Sequence, residues 1–170
     1  MGQTRVLPFC GSAQAGCRSE GKAGRTAERE EGQGGQVASM KVFLGGTCNK
    51  SNWRNRIIPM LDIDYFNPVV EDWTPDCMVE EIRQRKTCDV VLYTITPKMT
   101  GIYSIAEVVD DSNKRPDHTV FVRLRDDGDK RFDEGQWKSL GAVAQMVERN
   151  GGSVFTDLKS AAIAINSRTI

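Results

Sequence analysis

Val90-Val91-Leu92-Tyr93-Thr94-Ile95 is the stretch whose reading decides the fold. Apart from Leu92 these residues are β-branched or aromatic, and they are apolar nearly throughout. A run without polar alternation has both faces covered, as in the centre of a parallel sheet, so a strand is predicted from Asp89 to Ile95. Outward from it, Thr119 to Leu124, with Val120-Phe121-Val122 at its middle, is the expected neighbour. Lys41 to Leu44, Asp64 to Phe66 and Ser153 to Phe155 complete the strand set. Helical patterns separate these runs, which makes the units βαβ. Right-handed crossovers between sequential neighbours favour an α/β doubly wound sheet of five parallel strands in the order 2-1-3-4-5. Its ligand crevice opens where strands 1 and 3 diverge, beyond their carboxyl ends.

The helices announce themselves by their ends. Ser51 is the expected cap of a helix through Leu61 that buries Trp53, Ile57, Ile58 and Leu61, with Pro59 as a kink or early stop. Thr74-Pro75-Asp76 combines an N-cap, an N1 proline and a first-turn acid, opening a helix to about Lys86. Asp133 with Gln136 reads as a capping box for a helix that buries Trp137, Leu140, Val143, Ala144 and Val147, and Asn150-Gly151-Gly152 ends it. A final helix is expected over Leu158 to Ile165.

The 170 residues carry 23 Lys+Arg against 23 Asp+Glu, so there is no global attraction to a nucleic acid polymer or an anionic membrane. No apolar run approaches the roughly 18 to 20 residues that span a bilayer, and a soluble cytoplasmic protein is expected. Five cysteines without a CxxC pair form neither a disulfide framework nor a zinc site and read as thiols in a reducing compartment. His118 is the single histidine. A multi-His metal centre is thereby excluded, no metal or cofactor is expected, and carboxylates are left to do any chemistry near pH 7. Residues 1–39 hold half of the 16 glycines and no Ile or Trp, a composition that cannot offset its ordering entropy. They read as a disordered N-terminal tail, with the functional domain over 40–170 starting at Met40; Glu20, Glu28, Glu30 and Glu31 argue against a targeting peptide.

Around the expected crevice several residues stand out. Gly45-Gly46-Thr47 follows strand 1 and reads either as a simple tight turn or as backbone N–H groups and a hydroxyl offered to a polar ligand. Trp53 packs the core or stacks on a ligand, and Trp73, in the loop that begins at Asn67, packs or provides a platform for a planar base. Glu81 shares or borders the inward face of the Thr74 helix, whereas Glu80 points elsewhere. The loop Thr96 to Gly101 leads into a helix with the apolar stripe Ile102, Ile105, Ala106 and Val109. Periodicity sets Glu107 opposite that stripe, near Tyr103 and Asp111, as a surface acid, with Asp110 and Asp111 solvated beside it. Its position in the second turn after the central strand argues instead for the crevice mouth.

Val42-Phe43-Leu44-Gly45-Gly46-Thr47, Asp89-Val90-Val91-Leu92-Tyr93 and Gly101-Ile102-Tyr103-Ser104-Ile105-Ala106-Glu107 together resemble the nucleoside 2-deoxyribosyltransferase-like family in order and spacing. The resemblance implies a flavodoxin- or Rossmann-like fold and commonly a homo-oligomer. It also implies cleavage of the N-glycosidic bond of 2′-deoxynucleosides or their 5′-monophosphates. The family's nucleophilic glutamate carries onto Glu107 and its second carboxylate onto Glu81, where aspartate is usual. Gly101 stands near the place of a serine that helps hold phosphate in phosphohydrolase relatives.

On this reading Glu107 is the nucleophile and Glu81 the proton donor or orienter. Gly45, Gly46, Thr47, Asn67, Thr96, Gly101 and Tyr103 line the substrate site, with Trp73 and Trp53 against the base. The partner is a small nucleoside or nucleotide, and transfer and hydrolysis stay equally open. The rival is a non-catalytic nucleotide-binding module on the same sheet. A phosphoacceptor receiver lacks support because strand 1 ends in Gly45-Gly46-Thr47 rather than an acidic pair. A chain that starts at Met40 is expected to fold and act as the full chain does, and an insoluble or inactive truncation in expression and turnover assays would refute that.

Overall fold

Val90–Ile95 lies in the middle of the sheet, every residue of it buried, in a computed structural model that describes residues 39–168 apart from 49, 71 and 73. In chain order the elements are β1 (Lys41–Gly46), α1 (Trp53–Ile57), β2 (Asp64–Phe66), α2 (Pro75–Thr87), β3 (Val90–Ile95) and α3 (Tyr103–Lys114). They continue with β4 (Thr119–Arg123), the two short strands β5 (Asp126–Asp127) and β6 (Lys130–Arg131), α4 (Glu134–Asn150), β7 (Ser153–Phe155) and α5 (Leu158–Asn166). The five-stranded sheet has the order β2-β1-β3-β4-β7, with every neighbouring pair parallel. That is the expected winding. The strand counted fifth is β7, because the antiparallel pair β5–β6 forms a separate hairpin.

Side chains alternate across each strand and build two cores. Val42, Leu44, Val90, Leu92, Val120 and Val122 face Trp53 and Ile57 of α1 and Leu158, Ala161, Ala162 and Ile165 of α5. Phe43, Val91, Tyr93, Ile95 and Phe121 face Val108 of α3 and Leu140, Ala144 and Val147 of α4. Each fully buried aliphatic or aromatic side chain contributes about 1.5–3 kcal/mol, so the central strand alone anchors both layers.

Local signals at helix ends are partly reproduced. Asp133 and Gln136 form the capping box, and Gly151 ends α4 in the left-handed region at φ 101°. Pro75 stands in the first turn of α2 after Thr74, but Thr74 makes no side-chain cap bond. Ser51 does not cap α1. The cap position is Asn52, and the Ser51 hydroxyl donates to Asp127 of the β5–β6 hairpin instead. Pro59 falls in a 3-10 turn, Ile58–Met60, that ends the helix early.

The stripe expected on α3 is not its buried face. Ile102, 78% exposed, precedes the helix, and Ala106 is exposed, while Val108, Asp111 and Ser112 are buried. Only Ile105 and Val109 of that stripe pack against the core. Asp111 is thus a buried acid, not a solvated one; Asp110 stays exposed. Among the described residues no helix is long and apolar enough to cross a membrane.

Where β1 and β3 end, their backbones come very close. Gly46 has φ 112°, and a Cβ there would sit 2.2 Å from the Thr94 carbonyl oxygen. Beyond it the Thr47 N–H donates to Thr94 O at 2.9 Å, and the Thr96 N–H donates to Thr47 Oγ1 at 2.9 Å. Gly46→Ala therefore combines left-handed strain with a backbone collision and should cost about 3 kcal/mol or more. A denaturant midpoint unchanged from the parent would show that this approach is dispensable.

Candidate active site

Glu107 lies in the second turn of α3 with its side chain only 12% exposed, although periodicity alone placed it in solvent. The buried arc of α3 is centred on Val108, Asp111 and Ser112, and Glu107 flanks it on the side of α2. Arg85 of α2 meets it there. Its NH1 is 3.3 Å from Glu107 Oε1 and its NH2 donates to the Glu107 carbonyl at 3.2 Å. The Arg85 Nε–H is shared between Tyr93 OH at 2.7 Å and Asp111 Oδ2 at 2.9 Å. Tyr93 in turn donates to Asp111 Oδ2 at 2.6 Å. Arg115 approaches the other Asp111 oxygen at 3.5 Å and caps the end of α2 by donating to the carbonyls of Arg85, Lys86 and Cys88.

Burial pushes the Glu107 carboxyl up to about 7; Arg85 opposes the shift, and Glu81, Asp111 and Asp110 add to it. Glu81 is also raised, by burial first, with Arg54 and Arg85 pulling it down. Glu81 and Glu107 therefore share one electrostatic environment, between α2 and α3. A pair of opposite charges 4 Å apart gains about 4 kcal/mol at an effective dielectric constant of 20. One guanidinium divided among three acids does not outweigh the loss of water around Glu107. Glu80 faces away and pairs with Arg83 at 2.6 Å.

The other expected site residues divide. Gly45 lies under the Tyr93 ring, where a Cβ would come within 2.8 Å of it, so the glycine is needed for packing beneath the acids. Gly46, Thr47 and Thr96 join the ends of β1 and β3, and Thr47 and Thr96 are buried. Gly101 is exposed and Tyr103 is 47% exposed at the start of α3. Asn67 accepts from the Val69 N–H at 3.1 Å in the turn after β2. Trp73 lies outside the described residues. Trp53 is a correction: it is 0% exposed, donates Nε1–H to Thr47 O at 2.7 Å, and belongs to the core on the opposite face of the sheet from α3. It has no surface for a base.

Sequence reasoning passed over Arg85, Tyr93 as a polar group, Asp111 and Arg54. Arg54 is buried and donates to Leu44 O at 3.1 and 2.9 Å and to Thr47 O at 2.8 Å, where β1 has run past the end of β2. Two signals were available. Arg85 is one helical turn from Glu81 and Asp111 one turn from Glu107, and a tyrosine inside an apolar strand needs a partner for its hydroxyl.

A cavity of about 480 Å³ lies elsewhere, between α4 and the β7–α5 turn, lined by Arg123, Gln145, Glu148 and Asp157 among others. None of the residues around Glu107 lines it. Among the described residues no group of three or more His, Cys, Asp or Glu is placed to hold a metal ion.

Residues 39–122 match the family described as nucleoside 2-deoxyribosyltransferase like. The matched segment runs from the start of β1 into β4 and contains Glu81, Arg85 and Glu107; α4, β7 and α5 lie outside it. No curated protein matches the chain.

The raised Glu107 carboxyl makes stability depend on pH. The folded chain holds this proton more tightly than the unfolded chain, whose value is near 4.5, so the contribution is full below 4.5 and is lost as pH rises through about 7. Glu107→Gln imitates the protonated acid. Its stability relative to the parent should rise between pH 5 and pH 8, by up to about 3 kcal/mol. Melting curves across that range test this, and a difference flat with pH would mean that Glu107 titrates normally.

Proposed function

We propose, with the family match over residues 39–122 as the premise, that the chain cleaves or transfers the N-glycosidic bond of 2′-deoxynucleosides or deoxynucleoside monophosphates. The match supports a related glycosyl-transfer function. The observation that carries the finer reading is that two carboxyl groups, Glu81 on α2 and Glu107 on α3, are withdrawn from water and raised together around Arg85, whose Nε–H also donates to Tyr93 OH. Two neighbouring acids, both pushed up by burial and each opposed by Arg85, are suited to divided roles.

Breaking a C1′–N bond leaves oxocarbenium character at C1′. The Glu107 carboxylate attacks C1′ as that bond breaks, the bonding pair goes to the base nitrogen, and the Glu81 carboxyl gives the base its proton. A deoxyribosyl ester on Glu107 results, which divides one hard displacement into two easier ones. Water or the nitrogen of a second base then attacks C1′ and returns a proton to Glu81, and the Glu107 carboxylate leaves. Water gives hydrolysis; a base gives transfer. Nucleophile and donor need opposite protonation states, so kcat/KM should be bell-shaped, its acidic limb near the Glu107 value of about 7.

Met78, Val79 and Ile82 of α2 and Ile102 and Tyr103 at the start of α3 expose apolar surface next to the acids. We read this surface as the seat of a second copy of the chain, making a homo-oligomer.

The decisive assay mixes the protein with deoxyinosine or a deoxynucleotide and a free base and follows base release or exchange by chromatography. Glu107→Ala should reduce turnover by about three orders of magnitude or more while the fold persists. A nucleotide that raises the melting temperature without any product would favour the binding-module reading, and undiminished turnover in Glu107→Ala would exclude Glu107 as nucleophile.

A further inference from the structure

The guanidinium of Arg85 is spent in an ordered way. Its Nε edge is fixed by Tyr93 OH and Asp111 Oδ2, and its NH2 is taken up by the Glu107 carbonyl at 3.2 Å and Asp110 Oδ2 at 3.4 Å. What remains is NH1, aimed at Glu107 Oε1. Tyr93 is held in the sheet and its hydroxyl is bound to Asp111, while Asp111 is gripped from the other side by Arg115. The cation therefore stands in place before any ligand arrives, presented from a rigid strand through a buried acid. The charged and titratable groups facing Glu107 are Arg85 and Glu81 from α2, Tyr93 from β3, and Asp110 and Asp111 from its own helix. Arg85 is the positive one among them.

A mere tie between α2 and α3 would be complete with Asp110 and Asp111. The further contact to Glu107 is what such a tie does not need. We propose that Arg85 is the positioning residue of the site: anchored by Tyr93 and Asp111, it orients the Glu107 carboxylate and favours its ionised form, so that the nucleophile is ready when a substrate enters. The catalytic part of this rests on the reading of Glu107 given above; the hold of Arg85 on Glu107 does not.

The test uses the full chain with Arg85→Met, which keeps the aliphatic stem, Arg85→Lys, which keeps a charge without the fork, and Tyr93→Phe, which removes one anchor. Two readouts are taken on each: the pH profile of kcat and KM for base release, and the titration of the Glu107 side-chain carboxyl by carbon NMR, assigned with Glu107→Gln. Arg85→Met is expected to lower kcat about ten- to a hundredfold with KM little changed. The acidic limb and the NMR titration should move upward together by about one pH unit or more. Arg85→Lys should recover part of the titration shift but less of kcat, and Tyr93→Phe should lie between Arg85→Met and the parent. If the parent shows no turnover, the enzyme reading fails while the carboxyl titration still decides whether Arg85 holds Glu107. If the parent turns over and Arg85→Met leaves both the titration and the limb in place, the proposal is overturned. Should Arg85→Met not fold, Arg85→Lys and Tyr93→Phe decide the matter by the same two readouts, and unchanged values in both would overturn it.

Discussion

A tyrosine hydroxyl in the middle of an apolar sheet has to be given a partner, and much of this structure follows from how Tyr93 receives one. The ring fills the core above Gly45, packed against Phe43 with centroids 6.4 Å apart, while the hydroxyl donates to Asp111 and accepts from Arg85. A buried phenol left unpaired would cost about 1–3 kcal/mol. Satisfying it with an acid and a base draws α3 and α2 onto the same spot of β3. The acid is then itself buried and needs the cations, Arg85 and Arg115, that come from both sides.

Once that network is in place, Glu107 is carried inward with it. It sits one turn before Asp111 on the same helix, so a helix rotated to bury Asp111 also turns Glu107 toward α2. There it loses water without gaining a cation of its own, since Arg85 is shared, and its carboxyl rises into the neutral range. A structural ion cluster would settle its acids firmly in the ionised state. Here burial instead pushes both Glu81 and Glu107 up, Glu107 to about 7, so the cluster does not hold them as an ordinary ion pair would. The glycines at the end of β1 serve the same arrangement from below, because Gly45 leaves room for the Tyr93 ring and Gly46 lets Thr47 bridge to β3.

Where the chain could be read and where it could not has a consistent cause. The strands Asp64–Phe66 and Ser153–Phe155 and the box at Asp133 and Gln136 depend on neighbours in sequence, and they stand where local chemistry puts them. The β5–β6 hairpin was passed over because its strands are charged pairs; only Asp127-Gly128, with Gly128 at φ 64°, marks the turn. Trp53 had two readings, and the sheet decided between them: the crossover that carries α1 to β2 runs over the face away from α3. On α3 the apolar stripe misled because an acidic face was buried, which hydrophobic periodicity counts as solvent-facing.

The sequence by itself determined the parallel sheet, its strand order and several helix ends, because apolar runs, capping and turn residues act over a few neighbouring positions and right-handed crossovers then restrict the order. It also marked Glu81 and Glu107 as residues of interest, through spacing from the central strand and through resemblance. Only the tertiary structure decided that Glu107 and Asp111 face inward, that Trp53 has no free surface, and that Arg85 is the cation between the acids. The reason is physical: the charge state and exposure of a side chain are set by the field and the water left to it by every group nearby. For Glu107 those groups arrive from α2 and β3, segments that only folding brings together.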